Sequence, residues 1–369
     1  MEIIIGYIIP FLIVLTVLVF VHEMGHYLVA RWNKVRVEVF SIGFGKEIFG
    51  FNDRAGTRWK FSLIPLGGYV KMFGDADATS RPGDASGLSE EERSYAFQSK
   101  SLSQRTAIVA AGPLANFLFA IVALAGLFAI VGQPFTPPVV GEVQEESAAQ
   151  EAGFQPGDRI IALNNRTIER FEEVQRSVRL NPDAELRVTV VRDGDEVTLT
   201  ATPQRTEVED ARGNRQEIGI LGISRSEMEY RRHGPLTASW QAMRETVNLS
   251  GATLQAVGQI ITGSRSTDEL GGPIRIAQMS GDVADAGVVN LIWFMAILSI
   301  NLGLINLFPI PMLDGGHLVF YAIEAVRGRP LGERAQEYGF RIGLALVLTL
   351  MIFVTFNDLV QLRVFDLFN

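Results

Sequence analysis

Four long apolar segments constrain this chain more than any other feature of its sequence. They cover residues 3–30, 104–132, 288–310 and 339–361, and each is long enough to cross a bilayer as a helix that rises about 1.5 Å per residue. The whole chain is 47% apolar and only 20% charged, which is typical of a polytopic membrane protein with a soluble insert. We therefore predict a polytopic α-helical membrane protein with four transmembrane helices.

Charge and cysteine content exclude several classes of function. The formal net charge is −8, whereas nucleic-acid binding favours basic patches, so we predict no nucleic-acid partner. The sequence has no cysteine, which excludes disulfides, thiolate metal sites and cysteine nucleophiles. We expect residues 1–21 to remain as a permanent helix, because they lack the basic region and the small-residue cleavage site of a signal peptide.

The first apolar segment carries the pattern H-E-x-x-H at residues 22–26. On a helix, His22 and His26 lie on one face, about 6 Å apart along the axis, and can share one Zn²⁺. Glu23 is then placed to accept a proton from water at the metal. Residues 3–21 carry no charge, and ionisable groups at membrane depth are costly and usually functional. The pattern therefore indicates a metal site more strongly than a polar cluster satisfied inside a helix bundle.

A catalytic zinc needs a third protein ligand and one open position. Asp314 is the best candidate, because it follows the third apolar segment and is flanked by the helix breakers proline and glycine. Two alternatives stay open at this point: Asp314 could serve only as a helix cap or turn residue, and His317 could be the ligand instead. His233 lies in a polar stretch without membrane context.

Taken together, the membrane-embedded H-E-x-x-H, the distant L-D-G-G at residues 313–316 and the domain inserted between them resemble the site-2 protease family. The likeness extends to residues 96–100, 112–117 and 301–316 and covers nearly the whole chain. It implies an intramembrane zinc metalloendopeptidase of the bacterial inner membrane, with Zn²⁺ as cofactor. Larger members carry two tandem PDZ domains, and this chain has room for one.

The resemblance also implies a class of substrate. Members of the family cleave single-span membrane proteins that another protease has already trimmed outside the membrane. An anti-sigma factor and a remnant signal peptide are the two kinds of substrate that we expect. The partners are then this transmembrane protein and the lipid bilayer.

Several polar residues and prolines are candidates for positioning the substrate. Asn116 is the one strongly polar side chain in a long apolar run, and two roles are open: it could bond another helix, or, as the resemblance implies, it could steady substrate or a developing oxyanion. Asn301 and Asn306 precede Pro309 and Pro311, which remove backbone donors and loosen the helix end. The resemblance implies that this segment holds the substrate in extended form beside the zinc.

The positive-inside rule sets the predicted topology. Lys and Arg are frequent in the segment from Arg31 to Arg105 and in residues 312–338, which places these loops in the cytoplasm and both termini outside.

The predicted segments are transmembrane helix 1 (1–31), a cytoplasmic or re-entrant β-hairpin with a linker (32–103), transmembrane helix 2 (104–132), an extracytoplasmic PDZ domain (133–225), an extracytoplasmic amphipathic helix region (226–287), transmembrane helix 3 (288–316), a cytoplasmic loop (317–338), transmembrane helix 4 (339–361) and a C-terminal tail (362–369).

Two soluble segments have recognisable patterns. Residues 35–44 and 57–73 read as β-strands, the second broken at 65–68. We hypothesise a re-entrant hairpin beside the zinc that offers a strand edge to substrate; an ordinary cytoplasmic hairpin is the alternative. Residues 74–95 are rich in Asp, Ser, Gly and Glu and predict a flexible linker.

The run A-G-F-Q-P-G-D-R-I at residues 152–160 resembles a bacterial PDZ domain of the permuted type. Such a fold binds the C-terminus of an extended peptide by adding a strand, and we predict that it acts as a substrate size filter. A structural spacer that binds nothing is the alternative. Residues 234–262 predict an amphipathic helix at the membrane surface or against this domain.

Two other classes of protein compete with the protease. A catalytically silent scaffold would use the PDZ domain to hold partners, but an intact H-E-x-x-H with a matching Asp disfavours it. A metal transporter would need ionisable groups spread along the membrane path, and here they cluster at one depth.

Overall fold

The computed structural model describes residues 4–75, 89–209, 215–267 and 270–361. The chain divides into two compact units. A helix-rich unit lies within residues 1–126, 239–254 and 268–369, and a strand-rich unit lies within 127–238 and 255–267. The predicted C-terminal tail 362–369 and the larger part of the predicted linker fall outside the described residues.

Helices dominate the helix-rich unit. In chain order, the α-helices of the described residues in both units are α1 (Ile9–Trp32, after a π-helical turn over Ile4–Ile8), α2 (Glu90–Tyr95, followed by a 3-10 turn over Phe97–Ser99), α3 (Leu102–Ile130), α4 (Ala148–Glu151), α5 (Phe171–Arg179), α6 (Pro235–Ile261), α7 (Pro273–Asp285), α8 (Val288–Asn306), α9 (Asp314–Arg327) and α10 (Glu333–Gln361). Of these, α4 and α5 belong to the strand-rich unit. Within the part of the chain that the structure describes, four stretches are long and apolar enough to cross a membrane: Ile5–Trp32, Leu102–Ile130, Val288–Asn306 and Arg334–Gln361. The prediction of four such helices is confirmed.

The chain between the third and fourth of these helices differs from the prediction. The third helix was expected to extend over 288–316, but α8 ends at Asn306, three residues before Pro309, because proline cannot continue the backbone hydrogen bonding. A separate helix, α9, then occupies much of the predicted loop 317–338. It begins at Asp314 and ends at Arg327, and the following residue, Gly328, caps it with a left-handed backbone (φ 69°).

Two long strands follow α1. β1 (Val37–Asn52) and β2 (Arg58–Met72) are antiparallel. Ile42 has partners on both sides, Phe61 on one and Gly68 on the other, so β2 passes along β1 twice. The predicted break at 65–68 is therefore a bend within one strand, at the point where β2 changes its pairing partners.

The hairpin packs on the helices through a buried apolar cluster. This cluster combines residues of the hairpin, of α1, α3 and α9, and of the segments just before β1 and α3: Ala30, Val35, Val37, Phe40, Ile42, Val70, Met72, Phe97, Ile108, Val109 and Tyr321. Burial of these side chains stabilises the arrangement by about 25 cal/mol per Å² of apolar surface. The hairpin is thereby held against the same helices that carry the predicted metal ligands.

The end of the predicted linker is also ordered. Ser89 and Glu92 form a reciprocal capping box, in which each side chain accepts from the other residue's backbone N–H, and this starts α2. The acidic residues that suggested a flexible linker favour the first turn of a helix, where they face the positive end of its dipole.

The strand-rich unit contains a four-stranded sheet in the order β6–β5–β7–β8. Its strands are β3 (Gln133–Phe135), β4 (Val140–Val143), β5 (Arg159–Leu163), β6 (Arg166–Thr167), β7 (Leu186–Arg192), β8 (Asp195–Ala201), β9 (Gln204–Glu209), β10 (Arg215–Ile220), β11 (Ile223–Arg225) and β12 (Glu229–Arg231). The hairpin tip at Asn164 and Asn165 has positive φ at both residues (47° and 65°), as expected for a tight two-residue turn. The apolar side of α5 covers the core of this unit through Val174 and Val178. The PDZ identity of the unit stays a prediction.

Candidate metal centre

Helix α1 presents two imidazoles on one face. His22 and His26 are one turn apart and both are buried, and their Nε2 atoms lie 3.3 Å from each other. This follows directly from the i, i+4 spacing of the helix. The two rings therefore direct the same type of atom at a common point.

The third candidate ligand comes from the first turn of α9. The carboxylate of Asp314 places Oδ2 3.1 Å from Nε2 of His22 and Oδ1 3.5 Å from Nε2 of His26. Within the described residues, these three side chains form the one group whose ligand atoms could share a metal ion.

The spacing of these atoms fits zinc. Donor atoms about 2.0–2.1 Å from a tetrahedral Zn²⁺ lie roughly 3.3 Å from one another, and the three separations here are 3.1, 3.3 and 3.5 Å. In addition, Oδ2 of Asp314 is buried and accepts no hydrogen bond of good geometry, which is costly for a carboxylate unless a cation compensates. The donor set of two imidazoles and one carboxylate is also one that catalytic zinc sites use.

Each imidazole is held from behind by α3. Nδ1 of His26 lies 2.9 Å from the backbone carbonyl oxygen of Ile108, and Nδ1 of His22 lies 3.1 Å from the side-chain amide of Asn116. Contacts of this kind orient metal-binding histidines in many sites. Because Nδ1 is engaged in both rings, Nε2 is the atom that faces Asp314.

Close packing of α1 and α3 depends on glycine. A Cβ atom at Gly112 would lie 2.2 Å from Nε2 of His26 and 2.9 Å from Cε1 of His22. No side chain fits there while the two rings keep their positions. Gly112 therefore lets α3 approach the two imidazoles closely.

Glu23 is part of the same cluster. Its side chain is buried and interacts electrostatically with His22, His26 and Asp314. On its other side, Gly68 of β2 packs against it, since a Cβ at Gly68 would lie 3.1 Å from Cγ of Glu23. The residue predicted as the base thus lies between the candidate ligands and the hairpin.

The other predicted residues lie in different surroundings. The ring of His317 packs against Phe340 of α10, with 5.3 Å between ring centroids, so the structure places Asp314, and not His317, with the two histidines of α1. His233 belongs to the strand-rich unit, where its Nε2 contacts Gln133.

The residues predicted to position substrate differ in their hydrogen-bond partners. Asn301 accepts a hydrogen bond from the hydroxyl of Thr253 in α6, and Asn306 donates to the carbonyl of Leu302 in its own helix. Pro309 and Pro311 lie in the non-helical link between α8 and α9. Asn116 lies at hydrogen-bond distance from the candidate ligand His22, and the predicted substrate roles of all five residues stay predictions.

Sequence reasoning singled out Asn116 but did not identify the roles of Ile108 and Gly112, which also support the ligands. The carbonyl of Ile108 has no sequence signature, because every residue offers one. Gly112 could have been found from its place beside Pro113 in an apolar helix, where glycine weakens the helix and often has a packing reason.

Comparison with known proteins covers almost the entire chain. The family model described as peptidase family M50 matches residues 10–350. A protein of Agrobacterium fabrum named as a zinc metalloprotease is 50% identical over 364 residues, 97% of this chain and 96% of its own length. A similarly named protein of Rickettsia conorii is 40% identical over 96% of this chain and 99% of its own length.

A more distant relative is the protease RseP of Yersinia pestis, which is 35% identical with 95% of this chain and 98% of the relative covered. Its alignment extends over 454 positions, more than the 369 residues of this chain, so the relative has residues that this chain lacks.

Proposed function

The chain belongs to peptidase family M50 and is a zinc metalloprotease, and from this premise we propose that it cuts peptide bonds inside the membrane-spanning segments of other proteins. The observation that carries the proposal is the position of the cluster. His22, Glu23 and His26 lie within a helix long and apolar enough to span a membrane, and Asp314 meets them there.

The proposed roles follow from the chemistry of each side chain. Nε2 of His22, Nε2 of His26 and the carboxylate of Asp314 hold Zn²⁺. When bound, Zn²⁺ acts as a Lewis acid that makes water a stronger acid and polarises a peptide carbonyl. The carboxylate of Glu23 accepts the proton of the attacking water and later returns a proton to the leaving amine. Burial of Glu23 keeps bulk water from competing for this proton.

A substrate must be extended at the cleaved bond, because a helical carbonyl is hydrogen-bonded and shielded. The edge of β2 offers a place for an extended chain. Residues 68–72 of β2 pair with β1 along one of their edges. Their opposite edge is not paired with any other strand of the described residues. We propose that substrate adds a strand to this unpaired edge, where Gly68 brings the backbone of β2 next to Glu23.

The surface of the hairpin supports a position in the bilayer. Ile48, Phe49 and Leu63 are 69%, 60% and 62% exposed, and neighbouring aromatic side chains extend the apolar surface. Water would disfavour such a surface, whereas lipid tails would accept it. We therefore favour the re-entrant hairpin over an ordinary cytoplasmic one.

The strand-rich unit has a groove that suits a peptide end. It lies between α5 and residues 218–223 and is lined by Phe171, Val174, Val178 and Leu221, with Arg179 at its side. We propose that this unit is a PDZ domain whose groove binds the apolar C-terminus left by an earlier cut, with Arg179 near its carboxylate. The unit then acts as a filter that favours trimmed substrates.

A filter for trimmed chains is consistent with the substrates that we propose. These are single-span proteins of the inner membrane that another protease has already trimmed outside the membrane, such as an anti-sigma factor or a remnant signal peptide. Both termini of the protease would lie outside the cytoplasm, as the distribution of Lys and Arg favours.

The test uses the full chain in detergent or liposomes with a single-span model substrate. Glu23→Gln should lower the cleavage rate about 10²–10⁴-fold, the usual effect of losing a general base, and should leave zinc content unchanged. Glu337→Gln, an exposed glutamate of α10, is the matched control and should cleave normally. Near-normal cleavage by a zinc-loaded Glu23→Gln protein would refute the role of Glu23, and cleavage confined to soluble peptides would refute the intramembrane reaction.

The filter is tested with trimmed and untrimmed forms of the same substrate. The native protein should favour the trimmed form. Ile220→Asp, which places a charge at an exposed position of the groove, should reduce this preference without changing zinc content. An unchanged preference would count against the groove as the filter.

A further inference from the structure

The side chain of Asn116 is entirely buried beside a candidate metal ligand. It is 0% exposed, and its amide lies 3.1 Å from Nδ1 of His22. Its amide oxygen, Oδ1, is buried and accepts no hydrogen bond from the described residues. In this conformation, the amide therefore has no exposed surface for a substrate to contact.

The two imidazoles differ in what they contact on α3. A neutral imidazole has one nitrogen that donates and one that accepts. The carbonyl of Ile108 can only accept, so Nδ1 of His26 carries the hydrogen and Nε2 keeps its lone pair. Nδ1 of His22 instead faces an amide, which can donate or accept depending on its rotation.

The position of Nε2 decides between these two rotations. Nε2 of His22 faces Nε2 of His26 at 3.3 Å and Asp314 at 3.1 Å, where it must offer a lone pair to bind a metal. Nδ1 of His22 must then carry the hydrogen, and only an oxygen can accept it. A half-turn of the Asn116 amide brings to Nδ1 the oxygen that otherwise has no partner.

We propose that Oδ1 of Asn116 accepts the Nδ1 hydrogen of His22 and thereby fixes the tautomer and ring orientation in which Nε2 binds zinc. Asn116 is then a positioning residue of the metal centre, and not the substrate contact or oxyanion donor that the sequence suggested as one of two roles. The inference rests on the proposed assignment of His22 as a zinc ligand.

The backbone that carries this amide is held by α8. The hydroxyl of Ser299, itself buried, donates to the backbone carbonyl of Asn116 at 2.9 Å. Gly303 of the same helix approaches the Cβ of Asn116, since an added Cβ there would lie 3.4 Å away. With its backbone fixed from one side and His22 on the other, the amide is well placed to hold one ring orientation.

Zinc affinity of the purified full chain, measured by competition with a chelator, tests the proposal. Asn116→Leu keeps the volume and removes the acceptor, so it should weaken zinc binding about 10–100-fold, the usual effect of losing a partner that orients a ligand. Asn116→Asp keeps an oxygen acceptor and should bind zinc at least as tightly as the parent. Asn357→Leu is the matched control, because it removes a buried amide from α10 and should leave zinc affinity unchanged.

Nitrogen NMR of the zinc-loaded protein gives a second readout. The chain has only four histidines, so their ring signals can be assigned with single substitutions. The Nδ1 hydrogen of His22 should exchange slowly in the parent and in Asn116→Asp, and faster in Asn116→Leu.

Three outcomes would overturn the proposal. The first is parent-like zinc affinity in Asn116→Leu with a lower kcat, which would mean that the amide acts on substrate. The second is a loss of zinc affinity of about 10-fold or more in Asn116→Asp relative to the parent, which decides the matter even where the leucine variant does not fold. The third is zinc-loaded His22 with its hydrogen on Nε2. His22→Ala separates this failure from failure of the ligand assignment: if that variant binds zinc like the parent, His22 is not a ligand.

Discussion

The guanidinium of Arg105 in α3 donates to the carboxylate of Glu324 in α9 at 2.6 Å, although the two residues are 219 positions apart in sequence. Both side chains are largely buried. Arg105 also lies over the ring of Tyr321, 4.9 Å from its centroid, and donates to the carbonyl of Lys100. Because α9 begins with Asp314, this ion pair fixes the helix that brings the third ligand to the two histidines.

Replacing Arg105 and replacing Glu324 should lower stability by unequal amounts. Arg105→Met leaves Glu324 buried without its cation and should cost on the order of 2–3 kcal/mol of stability, together with a loss of zinc affinity as α9 loosens. Glu324→Gln should cost less, because Arg105 keeps Tyr321 and the carbonyl of Lys100. Thermal unfolding in detergent and chelator competition measure both effects, and equal losses in the two variants would contradict this account.

The choice of Asp314 over His317 can be tested directly. Asp314→Ala removes a ligand and should weaken zinc binding by more than about 100-fold, since the partners that merely orient ligands are worth 10–100-fold. His317→Ala removes a ring that packs on Phe340 and should retain zinc while losing some thermal stability. Zinc retained in full by Asp314→Ala and lost by His317→Ala would reverse the assignment.

The strand-rich unit should show its own dependence on pH. Asp158 is 1% exposed. Burial alone would raise its pKa, but hydrogen bonds from Arg192 and from the backbone of Gln155 outweigh burial and hold the pKa below its usual value. A carboxyl whose pKa is lowered by folding stabilises the fold above its unfolded pKa of about 3.9, and this contribution is lost as pH falls through the folded value.

Asp158→Asn should therefore destabilise this unit by a constant amount above about pH 5, and the difference from the parent should shrink below about pH 4. Hydrogen exchange of β5 and β7 in the full chain, compared between parent and variant at each pH, measures the difference. A gap that widens on acidification would show that the sign is wrong.

Local patterns in the sequence were enough to predict the spanning helices and the pair of histidines on α1. Both depend on residues within a few turns of each other, where spacing and composition decide the outcome. The hairpin was also predicted, but its double pairing at Ile42 was not. That pairing needs positive φ at Gly43 and Gly45 (86° and 87°), and sequence alone does not show that a glycine bends a strand.

The parts that were missed depend on contacts between distant residues. Residues 317–338 were predicted to be a cytoplasmic loop, whereas α9 covers Asp314–Arg327. Its Tyr321 packs in the cluster under the hairpin, and Arg105 pairs with Glu324, and neither partner is visible from the local sequence. Asn116 was recognised as unusual, but its contact with His22 requires the crossing of α1 and α3 to be known.

Gly112 provides a direct test of that crossing. In Gly112→Ala, the added methyl would lie 2.2 Å from Nε2 of His26, closer than any such contact can be, so the ring must move or α3 must shift away from α1. Either change separates the ligand atoms, and zinc affinity should fall at least as far as in Asn116→Leu.

Gly126→Ala is a control in the same helix, because nothing lies within 4 Å of the added methyl, and alanine is a better helix former than glycine by about 0.8–1 kcal/mol. We expect this control to keep parent zinc affinity with unchanged or higher thermal stability. If Gly112→Ala behaves like Gly126→Ala, α3 does not approach the imidazoles as closely as described, and the orienting role of Asn116 on that same helix would lose its basis.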